Sequence, residues 1–439
     1  MAAYPGGRSA PHGAGGTRRT GLRLETLERG IRRLDRKDFA TLVDGMVSAI
    51  SRREWPPIRK LELVLTEDCN LRCHYCWIPK RPLHMSWEVA RQALEFLFEE
   101  SRDAQDLEIT LFGGEPLLAW DVFAHTVEHA EQLAASGGRR IHWAVTTNGT
   151  LLNEKNVRFA SMHGINYLLS LDGDRRCHDL HRRTAEGQGS FDLVVRNVPM
   201  LKRLQGWLGT RMTVNPDTVA SLASNIQVLA HMGINQFLVG ANPAAKWDRE
   251  SRQRLAAEWV RIAGQYVRMR RQGWPLRIGA LEAEGFDQTN ERRPGWGCEA
   301  GQDKVAVAPS GDIYPCSRFL DVDWLRNANW LGHVDRGLVA VRTRRSITDS
   351  RLLVRHKCMT CRHRDRCNGS CPATNWLLTG SPFVAPTFDC EGVRMGERLK
   401  REVPEAWEAS KIPFRREPLP LLGDSCAEQA SPCGIRPLN

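Results

Sequence analysis

Between residues 58 and 272 the apolar pattern switches back and forth between two periods. Short apolar runs at Leu61–Leu65, Leu107–Phe112, Ile141–Thr146, Tyr167–Leu171, Arg211–Val214 and Gln236–Val239 read as strands. The stretches between them repeat apolar residues three and four apart. They predict helices from Ser86 to Glu100, from the GGEP segment to about Ala135, and over 154–163, 191–205, 218–232 and 248–272. Ser86 followed by Glu88 has the form of a helix N-cap. Six strand–helix units in series imply an α/β fold with parallel strands and right-handed crossovers. Such a sheet is either open and doubly wound or curled into a barrel, and in both cases ligands collect at the C-terminal strand ends.

The flanks differ. Residues 1–20 are rich in Gly, Pro and Arg and read as a disordered tail. Over 21–57, Leu22, Leu24, Leu27, Ile31, Leu34, Phe39, Leu42, Val43 and Met46 trace a helical cap that Trp55-Pro56-Pro57 breaks. The αβ core is expected over 58–285. From 286 to 400 the segments are short and rich in Trp and Cys, with too little apolar sequence for a large core, so bound metal must add stability. A Pro-rich tail covers 401–439.

Composition narrows the class. With 41% apolar and 26% charged residues among 439, the chain can bury a core and is not disordered as a whole. No run reaches the ~18 apolar residues of a membrane span. The Arg18-Arg19 pair lacks the apolar segment that an export signal needs, so a cytoplasmic protein with no membrane partner is expected. The formal charge of +11 would suit nucleic acid or an acidic peptide, and equally a solvated arginine-rich surface. Nowhere do basic and aromatic residues interleave densely, so nucleic acid is not the expected partner.

The 13 cysteines fall into groups: Cys69, Cys73 and Cys76; seven between 298 and 390; Cys177 between; Cys426 and Cys433 in the tail. Close-spaced thiols in a cytosolic chain point to metal. The first group, CxxxCxxC, follows a strand and offers three thiolates. A closed zinc site takes four ligands, and His74 lies awkwardly between the cysteines. A four-iron cluster held by three cysteines keeps one iron open for another ligand.

With an aromatic residue, Tyr75, before its last cysteine, this loop resembles that of the radical S-adenosylmethionine (radical SAM) enzymes. The resemblance runs in order over about 58–275. It implies a partial (β/α)6 barrel and a [4Fe-4S] cluster on Cys69, Cys73 and Cys76. The free iron would chelate S-adenosylmethionine, whose cleavage releases a 5′-deoxyadenosyl radical. Gly113-Gly114-Glu115-Pro116 is similar to the family's GGE motif, which receives the methionine ammonium. Ser170 and Arg182 match its ribose and carboxylate contacts. Tyr75 would stack near adenine, and Asn148, in the Thr147-Asn148-Gly149 turn, and Val239 would line the same rim.

The later cysteines read Cys298-x12-Gly311-x4-Cys316, then Cys358-x2-Cys361-x5-Cys367-x3-Cys371, then Cys390. This resembles the SPASM extension, a small cysteine-rich domain with two auxiliary [4Fe-4S] clusters. By that resemblance Cys298, Cys316 and Cys371 hold the first, and Cys358, Cys361, Cys367 and Cys390 the second. The first then lacks a fourth thiol, which Asp303, Cys177, water or substrate would replace.

Relatives with this extension modify peptide or protein side chains. The sulfatase maturases carry an acidic base directly after the cysteine matching Cys316, and a Gln before GGEP. Here those positions are Ser317, followed by Arg318, and Phe112. The resemblance therefore implies a maturase that crosslinks or oxidises side chains of a ribosomally made peptide, with sulfatase-type formylglycine formation as the alternative. The partners it implies are a precursor peptide and an electron donor such as flavodoxin or ferredoxin; residues 21–57 look too short and too helical for a leader-binding module, so either a separate leader-binding protein or the barrel face would recruit the leader. A zinc-stabilised nucleic-acid-binding protein is the competing class. Colour separates them, because zinc thiolates are colourless and iron–sulfur proteins are brown.

Overall fold

The computed structural model describes residues 55–282, 298–348, 361–363, 367 and 369–413. The tail expected to be disordered over 1–20, nearly all of the expected cap over 21–57, Cys358, and the chain beyond 413 lie outside the described residues. One compact unit, Arg52–Asn439, contains everything described.

Six parallel strands form the core of the sheet: β1 (Lys60–Thr66), β2 (Asp106–Gly113), β3 (Arg140–Thr147), β4 (Tyr167–Ser170), β5 (Gly209–Val214) and β6 (Gln236–Ala241). Each lies beside its neighbour in sequence, as six serial strand–helix units require. A two-residue strand, β7 (Arg277–Ile278), extends the sheet beyond β6. It is too short to leave a period in the sequence.

Helices α1 (Trp87–Glu100), α2 (Trp120–Ser136), α3 (Glu154–Met162), α4 (Arg175–His181), α5 (Phe191–Val195), α6 (Val198–Gln205), α7 (Leu222–His231) and α8 (Arg249–Arg271) make the crossovers. Ser86 caps α1 as expected, its hydroxyl accepting from Val89 N at 3.2 Å. Asn153 and Asn156 close a reciprocal box at α3, and Asp248 caps α8.

Two expectations need correcting. The single helix over 191–205 is two helices, α5 and α6. The chain turns at Arg196-Asn197, and Pro199 sits in the first turn of α6, where its missing N–H costs nothing. Helix α4 was not expected at all. Its pattern is too short and polar to show a period, yet Asp174 caps it by accepting from Cys177 N at 2.8 Å.

The helices cover one face of the sheet, burying Leu61, Leu63, Leu65, Ile109, Leu111, Leu169, Met212 and Phe237. Alternate residues, among them Glu62, Phe112, Ser170, Arg211 and Gly240, are left for the opposite face, which carries the site.

The cysteine-rich segment does not stand apart from this sheet. Strand β8 (Lys304–Val307) pairs in parallel with β1, opposite β2, and β9 (Asp312–Tyr314), β10 (Gly332–His333) and β11 (Gly337–Leu338) continue antiparallel. The result is one 11-stranded sheet whose edges, among the described residues, are β7 and β11. A second small core backs onto β1: Val64 packs with Ala308, Tyr314, Cys316, Phe319 and Leu320.

Candidate functional site

The first cysteine loop leaves β1 at Thr66, whose hydroxyl accepts from Asp68 N, and Asp68 in turn accepts from Cys69 N at 2.7 Å. Farther on, Arg72 N and His74 N donate to the carbonyls of Arg183 and His181, lashing the loop to the end of α4. Cys76 N donates to Cys73 O in a tight turn. The sulfurs are not bare. Cys69 Sγ accepts from Leu71 N at 3.4 Å and from Asn148 Nδ2 at 3.7 Å, and Lys80 Nζ lies 2.8 Å from Cys76 Sγ.

Gly113 and Gly114 act on this loop directly. A Cβ at Gly113 would fall 2.4 Å from Thr66 O, and one at Gly114 would fall 2.0 Å from Asp68 O. Only glycine lets the end of β2 close on the cysteine loop, and Gly114 N and Glu115 N then donate to the carbonyls of Thr66 and Asp68.

Glu115 is held from within the chain. Its side chain is fully buried, with Oε1 accepting from Thr147 Oγ1 at 2.7 Å and Leu117 N at 3.2 Å, and Oε2 from Asn148 N at 2.7 Å. Burial raises its pKa to about 7 against these three bonds. These bonds tie β2 to β3 and hold the carboxylate in place at the strand end. Pro116 starts the 3-10 turn that follows.

Arg182 and Tyr75 both converge on Asp172, just past β4. Arg182 Nε and Nη2 donate to its two oxygens at 2.9 and 3.0 Å, Thr213 N donates at 2.8 Å, and Tyr75 OH donates to Oδ2. Arg182 also lies 5.3 Å from the centre of the Tyr75 ring. Tyr75 therefore carries a guanidinium on its face, and Arg182 is held in a buried pair. Burial pushes Asp172 up, but Arg182 and these hydrogen bonds outweigh it and hold the carboxyl below its usual range. Burial pushes the Tyr75 hydroxyl well upward.

Ser170 ends β4 half-buried, and its hydroxyl has no hydrogen-bond partner among the described residues. Val239, on β6, borders a cavity of ≈ 620 Å³ shared with Cys367, Cys390, Trp259, Phe388 and Asp389.

Of the later cysteines, Cys298, Cys316 and Cys371 pack into the second core, with Trp77 and Phe112 against it. They are within electrostatic reach of one another and of Glu62 and Lys304. Glu62 accepts from Ser317 N at 2.7 Å and pairs with Lys304 Nζ at 2.8 Å. The two side chains expected as substitutes for a fourth thiol are engaged elsewhere. Asp303 is held by Arg59 at 2.7 Å. Cys177 lies against Asn225 and Ser221.

The donor chemistry fits iron–sulfur clusters at both places. Burial raises Cys69 to about 11 and pushes Cys73, Cys298 and Cys316 upward as well. Such thiols stay protonated on their own, and only coordination to a cationic iron centre would deprotonate them. No three cysteine, histidine or carboxylate groups among the described residues gather to hold a single ion. A cubane asks something different, one thiolate for each of several irons.

Residues 63–240 match the family model of the Radical SAM superfamily. This segment is a radical SAM domain, and the chain that carries it is an enzyme. The family implies a four-iron cluster and S-adenosylmethionine. The chain is 24% identical over 318 residues to the serine-type anaerobic sulfatase-maturating enzyme of Klebsiella aerogenes, covering 70% of this chain and 77% of that one. A solved anaerobic sulfatase-maturating enzyme, "Native anSMEcpe with bound AdoMet", shares the fold with a TM-score of 0.63 at 19% identity, covering 79% of this chain and 98% of that one. Streptococcus suis SuiB bound to S-adenosylmethionine shares it with a TM-score of 0.54 at 18% identity, covering 84% and 86%. SuiB has also been solved bound to precursor peptide SuiA.

Four residues of this radical SAM site escaped the sequence reading: Asp172, Lys80, Glu62 and Arg211. Asp172 left the clearest signal, a carboxylate directly beyond a strand end. No helix of the described residues is long and apolar enough to cross a membrane.

Proposed function

We propose that the chain is a peptide maturase that oxidatively modifies or crosslinks side chains of a ribosomally made peptide. Cys69, Cys73 and Cys76 would hold the [4Fe-4S] cluster, with Ser170 and the strand ends around it receiving S-adenosylmethionine. When bound, these two supply a 5′-deoxyadenosyl radical able to take hydrogen from the peptide. The chain's own residues do the rest. Lys80 and Asn148 donate to the sulfurs and fix the loop. Asp172 orders Tyr75 and Arg182 beside Cys73. Cys298, Cys316 and Cys371 would carry a first auxiliary cluster, and Cys358, Cys361, Cys367 and Cys390 a second.

One observation carries the peptide-modifying reading over formylglycine formation. At the positions where sulfatase maturases resemble one another in an acid and an amide, this chain builds an aromatic and cationic stack. Phe112 stacks on Trp77 at 5.6 Å with an interplanar angle of 13°, and Arg318 lies 4.7 Å from the Trp77 ring. Ser317 is buried and neutral, its backbone tied to Glu62. Ser317 itself offers no carboxylate to take a proton from a substrate thiol or hydroxyl, and the neighbouring Glu62 is engaged by Ser317 N and Lys304. A metal-bound thiol needs none, because coordination deprotonates it. Formylglycine formation is the second reading, favoured by the sulfatase-maturating relatives.

Anaerobically reconstituted protein, dithionite and S-adenosylmethionine should convert cysteine-containing precursor peptides to products lighter by two hydrogens that do not react with hydrazides. Hydrazide-reactive product would mark formylglycine and favour the second reading. A peptide returned unchanged while S-adenosylmethionine is cleaved would contradict peptide oxidation for that peptide class.

A further inference from the structure

Strand β5 carries an arginine in an unusual position. Thr210, Met212 and Val214 are buried against the helices, whereas Arg211 is exposed on the face that carries the site. Arg211 pairs in register with Ser170 on β4 and with Leu238 on β6. Its guanidinium runs farther along, toward the C-terminal strand ends, and lies over Gly240. A Cβ at Gly240 would sit 2.9 Å from Arg211 Nη2. The missing side chain at Gly240 makes the room that the guanidinium uses.

The Arg211 guanidinium makes no hydrogen bond or ion pair with any described residue. The carboxylate within its electrostatic reach, Asp172, has both oxygens filled by Arg182, Tyr75 and Thr213 N. The other charges in reach are cations, Arg182 and Arg318. Arg318 has no ion pair among the described residues either, although the Asp321 carboxylate is within its electrostatic reach. One of its nitrogens donates to Thr374 Oγ1 at 3.3 Å, and its plane covers Trp77. A guanidinium so placed keeps its donor fork free for an arriving anion.

Position separates two sources for that anion. Arg182 stands beside Cys73, on the side of the first cysteine loop. Arg318 is two residues past Cys316, on the side of the later cysteines. Arg211 is within reach of both. It therefore faces the space between the two cysteine groups, where a substrate has to lie to meet both.

We propose that Arg211, with Arg318 facing it, receives a carboxylate of the peptide substrate, so that the enzyme selects peptides with an acidic residue close to the modified side chain. This rests on the peptide-maturase reading. The arginine fork matches a carboxylate in two parallel hydrogen bonds, and a lysine cannot reproduce that geometry.

Binding is the test, with fluorescein-labelled heptapeptide pools as probes, one with Asp fixed at the centre and one with Asn. Reconstituted wild-type enzyme with S-adenosylmethionine should prefer the Asp pool by about tenfold or more, as charge-assisted hydrogen bonds allow. Arg211→Gln should abolish the preference, Arg211→Lys should restore part of it, and Gly240→Ala should weaken it by displacing the guanidinium. S-adenosylmethionine affinity, measured on the same samples, should change by less than about twofold in all three variants, which also shows that they are folded. Retention of the Asp preference in Arg211→Gln overturns the proposal. So does a loss of S-adenosylmethionine affinity with unchanged peptide preference, which would assign the carboxylate to the cofactor. Equal binding of both pools sinks the acidic preference and leaves the peptide reading standing. Binding of neither pool at millimolar peptide overturns both.

Discussion

Asp172 is the residue on which the site's polar groups converge. Its side chain is 3% exposed, and it compensates the buried Arg182 while accepting from Tyr75 and from the backbone of β5. Removing one partner of such a pair leaves a buried charge without an anion, a loss of about 3–5 kcal/mol. Asp172→Asn should therefore lower the urea midpoint strongly. The double variant Asp172→Leu, Arg182→Met should recover much of the loss, because both charges are then gone. A double variant as unstable as the single one would show that the pairing is not the source. His178 gives a second prediction. Its Nε2 lies 3.0 Å from Ser190 Oγ and its Nδ1 accepts from Asp172 N, and burial lowers its pKa from 6.5 to about 3. Between those values the unfolded chain holds a proton that the native one refuses. Stability is thus complete above 6.5 and falls as pH drops through that window, by at most about 1.4 kcal/mol per pH unit. His178→Asn should show a shallower fall between pH 6.5 and 5.5 in urea unfolding, and parallel curves would refute the buried neutral histidine.

Elements set these residues in place, and here the sequence speaks unevenly. The six long strands and helices α1, α3 and α8 were legible because their apolar period is sustained and their caps are ordinary. Helix α4 was not, being seven residues with polar faces, yet it delivers Cys177, His178 and His181 and ends at Arg182. The GGEP segment was legible as a motif, but its contacts within the chain were not. The glycines give way to the carbonyls of Thr66 and Asp68, and Glu115 turns inward to Thr147 and Asn148. Sequence pattern cannot distinguish a carboxylate facing a ligand from one facing its own chain. Gly114→Ala should then disturb the first cysteine loop, with overpacking of about 1–3 kcal/mol or more, and reconstitute with about a third less iron. Gly392→Ala, with open space around it in the helix Thr387–Glu402, should leave iron content unchanged and add up to about 1 kcal/mol of stability. Full iron in Gly114→Ala would contradict the close approach.

At the scale of the whole molecule, the cysteine-rich segment was legible as chemistry and illegible as architecture. Its spacings announced metal, but nothing in its short strands told that β8 would join β1 and extend one sheet to 11 strands. That pairing is long-range, and its four residues carry no period of their own. It also explains why Cys316 and Cys371 come to lie across β1 from the first loop, packed on Val64. With three clusters of four irons, reconstituted protein should hold about twelve irons per chain, and the triple variant of Cys69, Cys73 and Cys76 to Ala about eight. Zinc in place of iron, in a colourless protein, would contradict this assignment.

The most direct measurement is anaerobic formation of 5′-deoxyadenosine from S-adenosylmethionine and dithionite, followed by chromatography in wild type and in Cys69→Ala, Cys73→Ala and Cys76→Ala. Wild type should form the nucleoside, faster when a substrate peptide is present, and each single variant should form none above the protein-free control. Cleavage that continues undiminished in Cys73→Ala would contradict the assignment of this loop as the seat of the radical chemistry.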